Sequence, residues 1–281
     1  MNKNIPTPIY IICKKLNNIK LSDIKILDAN KKNNSILYKA GEYIIKPETD
    51  FFLKEKYPAI KKLYTLDKNY IPNYKNFKYQ NHNYFYYKYI DGNKFYNYIY
   101  KFKFKNNKVL INNLINFIKF YITIDTKIFD KNTLKSNRLV WDFNFLKNSS
   151  NVKFTKLLEN NLKRIYDISI KKQKNTNKKL LLFEDLNTHN ILIDKNNNIK
   201  LIDMSEGLIV GNYNLYLHRY FSLIWSLGEK AVDKAIIECN INNNSTLVKE
   251  LSFVYFCKHH ILANGLFDNY FDRLKSFFFK I

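Results

Sequence analysis

One segment constrains the fold more than any other part of the sequence, because it places two aspartates and an asparagine around a short hairpin. Asp185 is followed five residues later by Asn190, and a second aspartate, Asp203, lies beyond two apolar runs. These runs, residues 191–193 and 199–202, flank a polar Asn-rich stretch, which predicts a β-hairpin. A hairpin brings its two ends together, so Asn190 and Asp203 are predicted to converge. Carboxylate and amide oxygens suit Mg²⁺, which binds one or two carboxylates together with phosphate oxygens.

The segment resembles the catalytic and metal-binding loops of the protein-kinase-like superfamily. It is most similar to the aminoglycoside phosphotransferase and choline kinase group, in which Gly-Asp-Leu is followed by Asn-Ile-Leu, a hairpin and Ile-Asp. These elements stand here at 185–186, 190–192 and 202–203. The resemblance implies that Asp185 orients the attacking hydroxyl or accepts its proton, and that Asn190 and Asp203 hold Mg²⁺ on the ATP phosphates. The alternative is an ordinary hairpin with surface aspartates.

The N-terminal part resembles the nucleotide-binding lobe of the same superfamily. That lobe carries a lysine on a strand, which contacts the ATP phosphates, and a glutamate on a helix, which pairs with the lysine. Residues 41–46 predict a strand that ends in Lys46, with a hairpin partner that begins at Ser35. The resemblance implies that Ser35, Lys46 and Glu55 belong to an ATP site, with Glu48 as the second candidate partner of Lys46. A solvated strand-end lysine is the alternative interpretation of Lys46.

The region around Pro58 departs from a simple helix. The apolar residues from 53 to 63 fall at helical spacing. Proline inside a helix removes a hydrogen bond, so we expect a break near Tyr57 and a second helical piece that starts at Pro58. The stretch 30–34 contains no glycine. Protein kinases cover the phosphates with a glycine-rich loop, so its absence favours a small-molecule kinase.

A third match is an aromatic strand that ends in Asp-Gly at residues 85–92. It resembles the strand-to-hinge segment of the kinase-like group. By that analogy, the backbone of Tyr89, Ile90 and Asp91 would face the adenine ring. The alternative is an edge strand closed by a turn, which Asp-Gly also signals.

The segment after Asp203 separates two subclasses of kinase. Only residues 204–214 precede the next helical pattern, Ala-Pro-Glu is absent, and residue 187 is Asn where protein kinases usually carry Lys. These features favour a small-molecule hydroxyl as phosphate acceptor. Phe183 and Glu184 replace the usual His and Gly, and we expect Phe183 to pack as an apolar anchor. These departures leave open a pseudokinase that binds nucleotide without turnover.

The resemblance implies an α+β, two-lobed protein-kinase-like fold, and the remaining pattern agrees with a strand-rich part followed by helices. Residues 1–90 are predicted to form a small antiparallel-sheet lobe that binds nucleotide, and residues 91–281 a mainly helical lobe with the catalytic and metal loops. Helical spacing is found at residues 95–104, 109–126, 154–170, 215–227, 231–239, 246–262 and 267–279. Loops are predicted at 147–151 and 171–179. His218 and Arg219 are expected to form a surface pair at a helix start, and His189 to lie on a loop surface.

The formal net charge of +23 indicates attraction to anions such as nucleotides, acidic lipids or nucleic acid. The lysines are spread along the chain, which favours solvated surface charges over a dedicated binding arm. Residues 69–100 interleave aromatics with lysines, as a nucleic-acid surface would. Core packing of a strand explains the same residues, and no zinc-finger or RNA-recognition signature is present.

Cysteine and hydropathy patterns limit the cellular setting. The three cysteines are far apart in sequence, so neither a disulfide framework nor a zinc site is predicted. No window of 18 apolar residues predicts a membrane span, and the apolar run 9–13 is too short for a signal peptide. We expect a cytoplasmic protein, and the lysine-rich surface is compatible with peripheral contact with acidic membranes.

Together these patterns predict an ATP- and Mg²⁺-dependent phosphotransferase that acts on a hydroxyl of a small molecule. Choline or another amino alcohol, a sugar and an aminoglycoside all remain candidates, and the high positive charge disfavours a strongly cationic drug. The alternatives are a nucleotide-binding pseudokinase scaffold and a basic nucleic-acid-binding protein.

Overall fold

The computed structural model of the chain describes residues 6–16, 19–30, 35–100, 107–129, 178–204, 207–241 and 245–262, with single positions at 144, 148, 151, 153, 167–168, 265, 268 and 272. The predicted helices at 154–170 and 267–279 lie almost entirely outside the described residues. So do most of the loops at 147–151 and 171–179 and residues 31–34. The chain forms two compact units, Met1–Gly92 with Lys200–Gly207, and Asn93–Ile199 with Leu208–Ile281.

The first unit is built on a five-stranded antiparallel sheet. Its strands are β1 Ile24–Asn30, β2 Ser35–Ala40, β3 Tyr43–Glu48, β4 Lys75–Tyr79 and β5 His82–Lys88, in the order β1-β2-β3-β5-β4. The predicted β2–β3 hairpin is confirmed, with Tyr38 opposite Ile45. Its turn begins at Gly41, whose φ of +56° is a left-handed conformation that glycine adopts without steric cost.

One face of this sheet packs against an N-terminal helix, α1 Thr7–Lys15. Ile9, Ile12 and Cys13 are buried there against strand residues that include Ile45 and Tyr84. The spacing of three and four residues places these side chains on one stripe of the helix. This helix was not predicted, because its apolar run at 9–13 is short and Pro6 and Pro8 precede it.

The opposite face of the sheet packs against a helix that changes type at Tyr57. A π-helical turn, Phe52–Lys56, runs directly into α2 Tyr57–Leu66, and Pro58 is the second residue of α2. The predicted break is not found, because the backbone stays helical through Tyr57; only the hydrogen-bonding pattern changes there, from π-helical to α-helical. Phe52 and Tyr57 contact the ring of Phe85 on β5, with centroid distances of 4.9 and 4.8 Å. Tyr84, Phe85 and Tyr87 are buried, so core packing accounts for these aromatics of the interleaved segment.

Five short strands lie between residues 92 and 212. They are β6 Gly92–Lys94, β7 Lys179–Phe183, β8 Ile191–Asp194, β9 Ile199–Leu201 and β10 Leu208–Asn212. The predicted hairpin is confirmed as β8 and β9, which form a sheet in the order β6-β8-β9, while β10 pairs with β7. No strand was predicted within the stretch 204–214. Strand β10 forms there because it pairs with the distant strand β7, from Leu208 with Phe183 to Asn212 with Lys179.

The second unit is mainly helical. Its described helices are α3 Phe95–Tyr100, α4 Lys108–Thr123, α5 Tyr213–Trp225, α6 Glu229–Glu238 and α7 Ser245–Phe256, followed by a π-helical turn, Cys257–Leu262. The predicted helices at 109–126, 215–227, 231–239 and 246–262 are confirmed within a few residues. Among the described helices, none is both long and apolar enough to cross a membrane.

The core of the second unit is aromatic. Tyr121 of α4 lies between Phe183 of β7 and Tyr220 of α5, at centroid distances of 4.9 and 5.9 Å. Trp225 donates a hydrogen bond of 2.7 Å from its indole N–H to Ser252 Oγ on α7. This core supports the strand that leads into the Asp185 loop.

Candidate functional site

A compact ion cluster surrounds Lys46 in the first unit. Lys46 Nζ lies 2.7 Å from Asp203 Oδ1 and 3.2 Å from Glu48 Oε1. Lys46 and Glu48 are two residues apart on β3, so their side chains point to the same face of the sheet. The side chain of Lys46 is 18% exposed and that of Glu48 is 11% exposed. The sequence-predicted lysine is therefore a partly buried, paired residue and not a solvated strand end.

The expected partner of Lys46 was wrong. The structure pairs Lys46 with Glu48, the second candidate, whereas Glu55 forms no ion pair with any described residue. Glu55 lies in the π-helical turn, where Phe52 points into the core and Glu55 remains exposed. The direction of a side chain within a turn depends on the local helix type, which sequence spacing did not reveal.

The electrostatics of the cluster show that its charges depend on one another. Burial opposes the charged form of Lys46, but Asp203 and Glu48 outweigh it, so the pKa of Lys46 is raised. Burial raises the pKa of Glu48, and Asp203 adds to that rise while Lys46 opposes it. When all three groups are charged, two carboxylates face one ammonium and leave a net negative charge. A divalent cation would compensate that charge, so the donor set fits Mg²⁺.

Asp203 adopts an unusual backbone conformation. Its φ is +54°, in the left-handed region that non-glycine residues rarely occupy. Its strand is anchored just before this point, because the backbone N–H of Leu201 donates to Tyr70 O at 2.7 Å. Such strain persists where the surrounding structure holds it and often marks a functional site. Here it directs the Asp203 carboxylate towards Lys46.

Two buried phenols lie within electrostatic reach of Asp203. Burial raises the pKa of Tyr74 and of Tyr87, and the negative charge of Asp203 raises both further. The two rings contact each other at a centroid distance of 4.9 Å. The Asp203 carboxylate therefore acts electrostatically on both phenol groups.

The residues predicted to contact adenine follow β5. The backbone N–H of Tyr89 donates to Glu42 O at 2.7 Å, so this donor is already used within the unit. Ile90 is half-buried and Asp91 is exposed. Their contact with adenine stays a prediction. Ser35 is the first residue of β2, opposite Asn30, and its side chain lies outside the described residues.

In the second unit, the Asp185 carboxylate is held by amide groups. Asn187 Nδ2 donates to Asp185 Oδ1 at 2.7 Å, and Asn190 Nδ2 donates to Asp185 Oδ2 at 2.8 Å. Asn187 Oδ1 in turn accepts from the backbone N–H groups of His189 and Asn190, at 2.8 and 3.1 Å. Asparagine commonly closes turns in this way. The result is a fixed loop with an exposed carboxylate at Asp185.

The orientation of Asn190 follows from this network. An ionised carboxylate only accepts hydrogen bonds, so the amide NH₂ of Asn190 must face Asp185. The same NH₂ also donates to Asp185 O at 3.0 Å. The amide oxygen then points away from Asp185, as a ligand for a hard cation must. No group of three or more His, Cys, Asp or Glu side chains arranged to hold a metal ion is found among the described residues. A site that uses one Asn and one Asp needs phosphate oxygens to complete it.

Arg219 braces the Asp185 loop, a role that sequence reasoning missed. The prediction of a surface pair at His218 and Arg219 was wrong, because both residues are 3% exposed on α5. Arg219 Nη2 donates to Glu184 O at 2.6 Å, and Arg219 Nε donates to Tyr255 Oη at 3.1 Å. Glu184 immediately precedes Asp185, so the guanidinium fixes the backbone at the start of the loop. The almost continuous apolar pattern of α5 was the available signal, since a helix that is hydrophobic all round is buried.

The end of the loop is also supported by the second unit. The backbone N–H of Tyr96 donates to Thr188 O at 3.0 Å, and Thr188 Oγ1 lies 3.5 Å from His260 Nδ1. Burial holds the pKa of His260 well below its usual range, and the neighbouring His259 and His189 lower it further. His189 stacks on Tyr96 at 4.2 Å and is half-buried, so it is more enclosed than a loop-surface residue.

Phe183 occupies the position before Glu184 where a histidine was expected from the family pattern. Its side chain is 5% exposed and contacts Tyr121. The prediction of an apolar anchor is confirmed. Phe183 therefore fixes the end of β7 by aromatic packing, and the Arg219 guanidinium fixes the Glu184 carbonyl at the start of the loop.

Solved structures of small-molecule phosphotransferases are similar to this chain over nearly its whole length. The ADP-bound aminoglycoside phosphotransferase APH(2'')-Ib is 16% identical with a TM-score of 0.57, covering 98% of this chain and 97% of that chain. The gentamicin complex of APH(2'')-IIa is 17% identical with a TM-score of 0.56, covering 99% and 95%. A macrolide 2'-phosphotransferase of type I is 11% identical with a TM-score of 0.55, covering 97% of each chain.

The sequence alone matches no protein-family profile and no curated protein. The likeness is therefore one of three-dimensional structure, and at this level of identity it establishes the fold. With its antiparallel sheet in the N-terminal unit and its helical C-terminal unit, the chain has the protein-kinase-like fold of the aminoglycoside and macrolide phosphotransferases.

Proposed function

We propose that the protein is an ATP- and Mg²⁺-dependent phosphotransferase that phosphorylates a hydroxyl group of a small molecule. The observation that carries the proposal is the contact between Lys46 of β3 and Asp203, which adopts a left-handed conformation just after β9. A lysine on a strand and a strained aspartate after a hairpin are the two charged groups that kinase-like enzymes place at ATP. The fold supports the same assignment.

Each residue has a defined part in this proposal. Lys46 binds phosphate oxygens with its ammonium group, and Asp203 and the amide oxygen of Asn190 hold the metal ion. When bound, Mg²⁺ neutralises charge on the phosphate oxygens. Asp185 orients the acceptor hydroxyl and accepts its proton. Phosphoryl transfer needs little covalent help from the protein, so fixed positioning and charge neutralisation account for most of the acceleration.

The loop network supports an active enzyme over a pseudokinase. Phe183 and Glu184 differ from the family pattern, and loss of the usual brace would leave Asp185 poorly held. Arg219 supplies a hydrogen bond to Glu184 O, and Asn187 and Asn190 hold the carboxylate directly. A fixed base is what this chemistry requires, because small misplacements are costly.

The acceptor is proposed to be small and not strongly cationic. The short segment between Asp203 and α5 leaves little chain for docking a peptide. Two of the structurally similar enzymes are aminoglycoside phosphotransferases and a third is a macrolide phosphotransferase. The net charge of +23 repels polycations. A sugar, an amino alcohol with a single positive charge or a neutral hydroxyl compound fits these features best.

Thermal unfolding with and without Mg-ATP tests nucleotide binding. A ligand at 100 times its Kd stabilises the folded state by about 2.7 kcal/mol. We expect stabilisation of the parent protein and a much smaller effect in Lys46→Met. A screen of hydroxyl compounds for ATP consumption then tests turnover. Binding without turnover on any hydroxyl compound would favour the pseudokinase, and no stabilisation by Mg-ATP would contradict both.

A further inference from the structure

The first unit contains a cavity in addition to the Lys46 ion cluster. A cavity of about 340 Å³ lies beside the ends of β3 and β5, α2 and the segment that joins α2 to β4. Its lining residues are Tyr43, Tyr64, Lys68, Ile71, Pro72, Asn73, Lys75, Tyr86, Tyr87, Lys88, Ile90 and Lys200. Tyr43 and Tyr86 line the cavity from one face of the sheet, whereas Tyr87 lies on the face that carries Lys46. The lining does not include Lys46, Glu48 or Asp203, so the cavity is distinct from the Lys46 ion cluster.

The lining is cationic and contains no acidic residue. Four of the twelve residues are lysines and none is Asp or Glu. Two of these lysines have partners, since Lys88 lies 3.5 Å from Glu42 and Lys200 donates to the backbone oxygen of Asn69. Lys68 and Lys75 form no salt bridge within the described part of the chain. Like charges gathered around one concavity repel one another and attract an anion.

The walls of the cavity are aromatic and apolar. Four tyrosines, with Ile71, Pro72 and Ile90, surround it. Tyrosine rings offer large flat surfaces for stacking a second ring. Since ligand cavities usually begin at roughly 300 Å³, this one suits a small occupant. We propose that it binds a phosphorylated molecule with a flat ring, of about the size of a nucleoside monophosphate, with the ring against the tyrosines and the phosphate beside Lys68 and Lys75.

The cavity shares two structural elements with the proposed ATP site, and this part of the inference depends on the proposed function. Ile90, which lines the cavity, belongs to the segment predicted to contact adenine. Tyr87 also lines it, contacts Tyr74, and lies within electrostatic reach of Asp203. Any effect of a ligand at Tyr87 on the affinity for Mg-ATP would be matched by an equal effect of Mg-ATP on the affinity for that ligand.

Calorimetric titration of the full-length protein with AMP, adenosine and pyrophosphate tests the site. We expect AMP to bind more tightly than adenosine, which lacks the phosphate, and than pyrophosphate, which lacks the ring. Lys68→Ala/Lys75→Ala should weaken AMP binding about 10-fold, because each exposed ion contact contributes modestly. The matched control is Lys61→Ala/Lys62→Ala, which removes the same charge from exposed positions of α2 outside the cavity and should leave AMP affinity unchanged.

The variant Lys46→Met separates this site from the proposed ATP site. We expect it to lose Mg-ATP binding and to keep AMP binding. Loss of AMP binding in Lys46→Met, an equal loss in both double-lysine variants, or no AMP binding by the parent protein would overturn the proposal. Equally tight binding of pyrophosphate and AMP would also overturn it, since the ring then contributes nothing. If Mg-ATP fails to bind the parent protein while AMP binds and depends on Lys68 and Lys75, the proposed function fails and this site remains.

Discussion

Asp203 in the first unit and Asp185 in the second are both exposed carboxylates, but their partners are of opposite kinds. Asp203 faces the ammonium of Lys46 at 2.7 Å, so its charge is partly compensated within the protein. Asp185 accepts hydrogen bonds from the neutral amides of Asn187 and Asn190, at 2.7 and 2.8 Å. The Asp203 carboxylate therefore belongs to a cluster that balances its charge. The Asp185 carboxylate is fixed in position by neutral groups and keeps a negative charge available to an acceptor.

The strongest test of this contrast is Asp203→Asn. Asparagine tolerates the left-handed conformation at this position, so the backbone should remain intact. The substitution removes the proposed metal carboxylate and one of the two carboxylates that pair with Lys46. We expect turnover to fall on the order of 1,000-fold, because charge stabilisation in such sites is worth that much. ADP release and Mg-ATP affinity measure the effect, and a variant with the parent rate would show that the metal assignment is wrong.

Asp185→Asn should separate chemistry from nucleotide binding. Loss of a positioned base typically costs about 100-fold or more in rate. Because Asp185 belongs to the amide network and not to the Lys46 cluster, Mg-ATP affinity should stay within a factor of about two. Titration of Mg-ATP alongside steady-state kinetics checks both values. If Asp185→Asn weakens Mg-ATP binding as much as Asp203→Asn, the two carboxylates do not have separate roles.

Arg219 tests whether positioning of the Asp185 loop matters for rate. In Arg219→Gln the carbonyl of Glu184 loses a charged donor, and we expect kcat to fall about 10-fold with little change in the KM for ATP, as expected for a displaced base. Tyr255→Phe keeps the ring and removes the hydroxyl that accepts from Arg219 Nε, so its effect should be smaller. Arg219→Lys keeps the charge and should recover part of the rate.

A structural role without a role in catalysis predicts a different outcome for these variants. Arg219→Gln would then lower the melting temperature and the fraction of active protein, while the remaining folded protein would turn over at the parent rate. Active-site titration together with thermal unfolding distinguishes the two cases.

The smallest expected effect is on the pH dependence of stability through His260. Its pKa is well below the usual 6.5 in the folded protein, mainly through burial. Above pH 6.5 the histidine is neutral in both states and stability is unaffected. Below pH 6.5 His260 binds a proton in the unfolded chain but not in the folded protein. The free energy of unfolding therefore falls by up to about 1.4 kcal/mol for each unit by which the pH is lowered. Denaturant unfolding between pH 7 and 5 measures this slope.

His260→Gln should flatten that slope, and His82→Gln, at an exposed position of β5, should leave it unchanged. Equal slopes in all three proteins would show that His260 does not contribute. The Lys46 cluster behaves differently over the same range. The pKa of Lys46 is raised, so its stabilising contribution is fully present at neutral pH and is lost only as the pH rises through its folded-state pKa.

Much of the fold was predictable because it depends on short-range patterns. The β8–β9 hairpin follows from two apolar runs around an Asn-rich turn, and α4, α6 and α7 follow from helical spacing. The change of helix type at Tyr57 coincides with Pro58, although the predicted break is not found. Each of these features is decided by residues that are close in sequence.

The features that were wrong or missed depend on contacts between distant residues. Strand β10 exists because it pairs with β7, about thirty residues earlier. Arg219 is buried because α5 packs on all sides, and its partners Glu184 and Tyr255 lie 35 and 36 residues away. The Glu48 partner of Lys46 is the exception, since it lies two residues away on β3 and follows from the strand period. The convergence of Asn190 with Asp203 stays a prediction.

By itself, the sequence determined which residue types are available and the local elements that carry them: a lysine on a strand, an aspartate and an asparagine before a hairpin, and an aspartate after it. Only the tertiary structure decided how each charge is balanced. It placed two carboxylates beside Lys46, two amides beside Asp185, and a buried guanidinium at the Glu184 carbonyl directly before Asp185. Charge balance depends on the distances between side chains. Those distances are set by the packing of helices and strands that are far apart in sequence, so the sequence pattern does not reveal them.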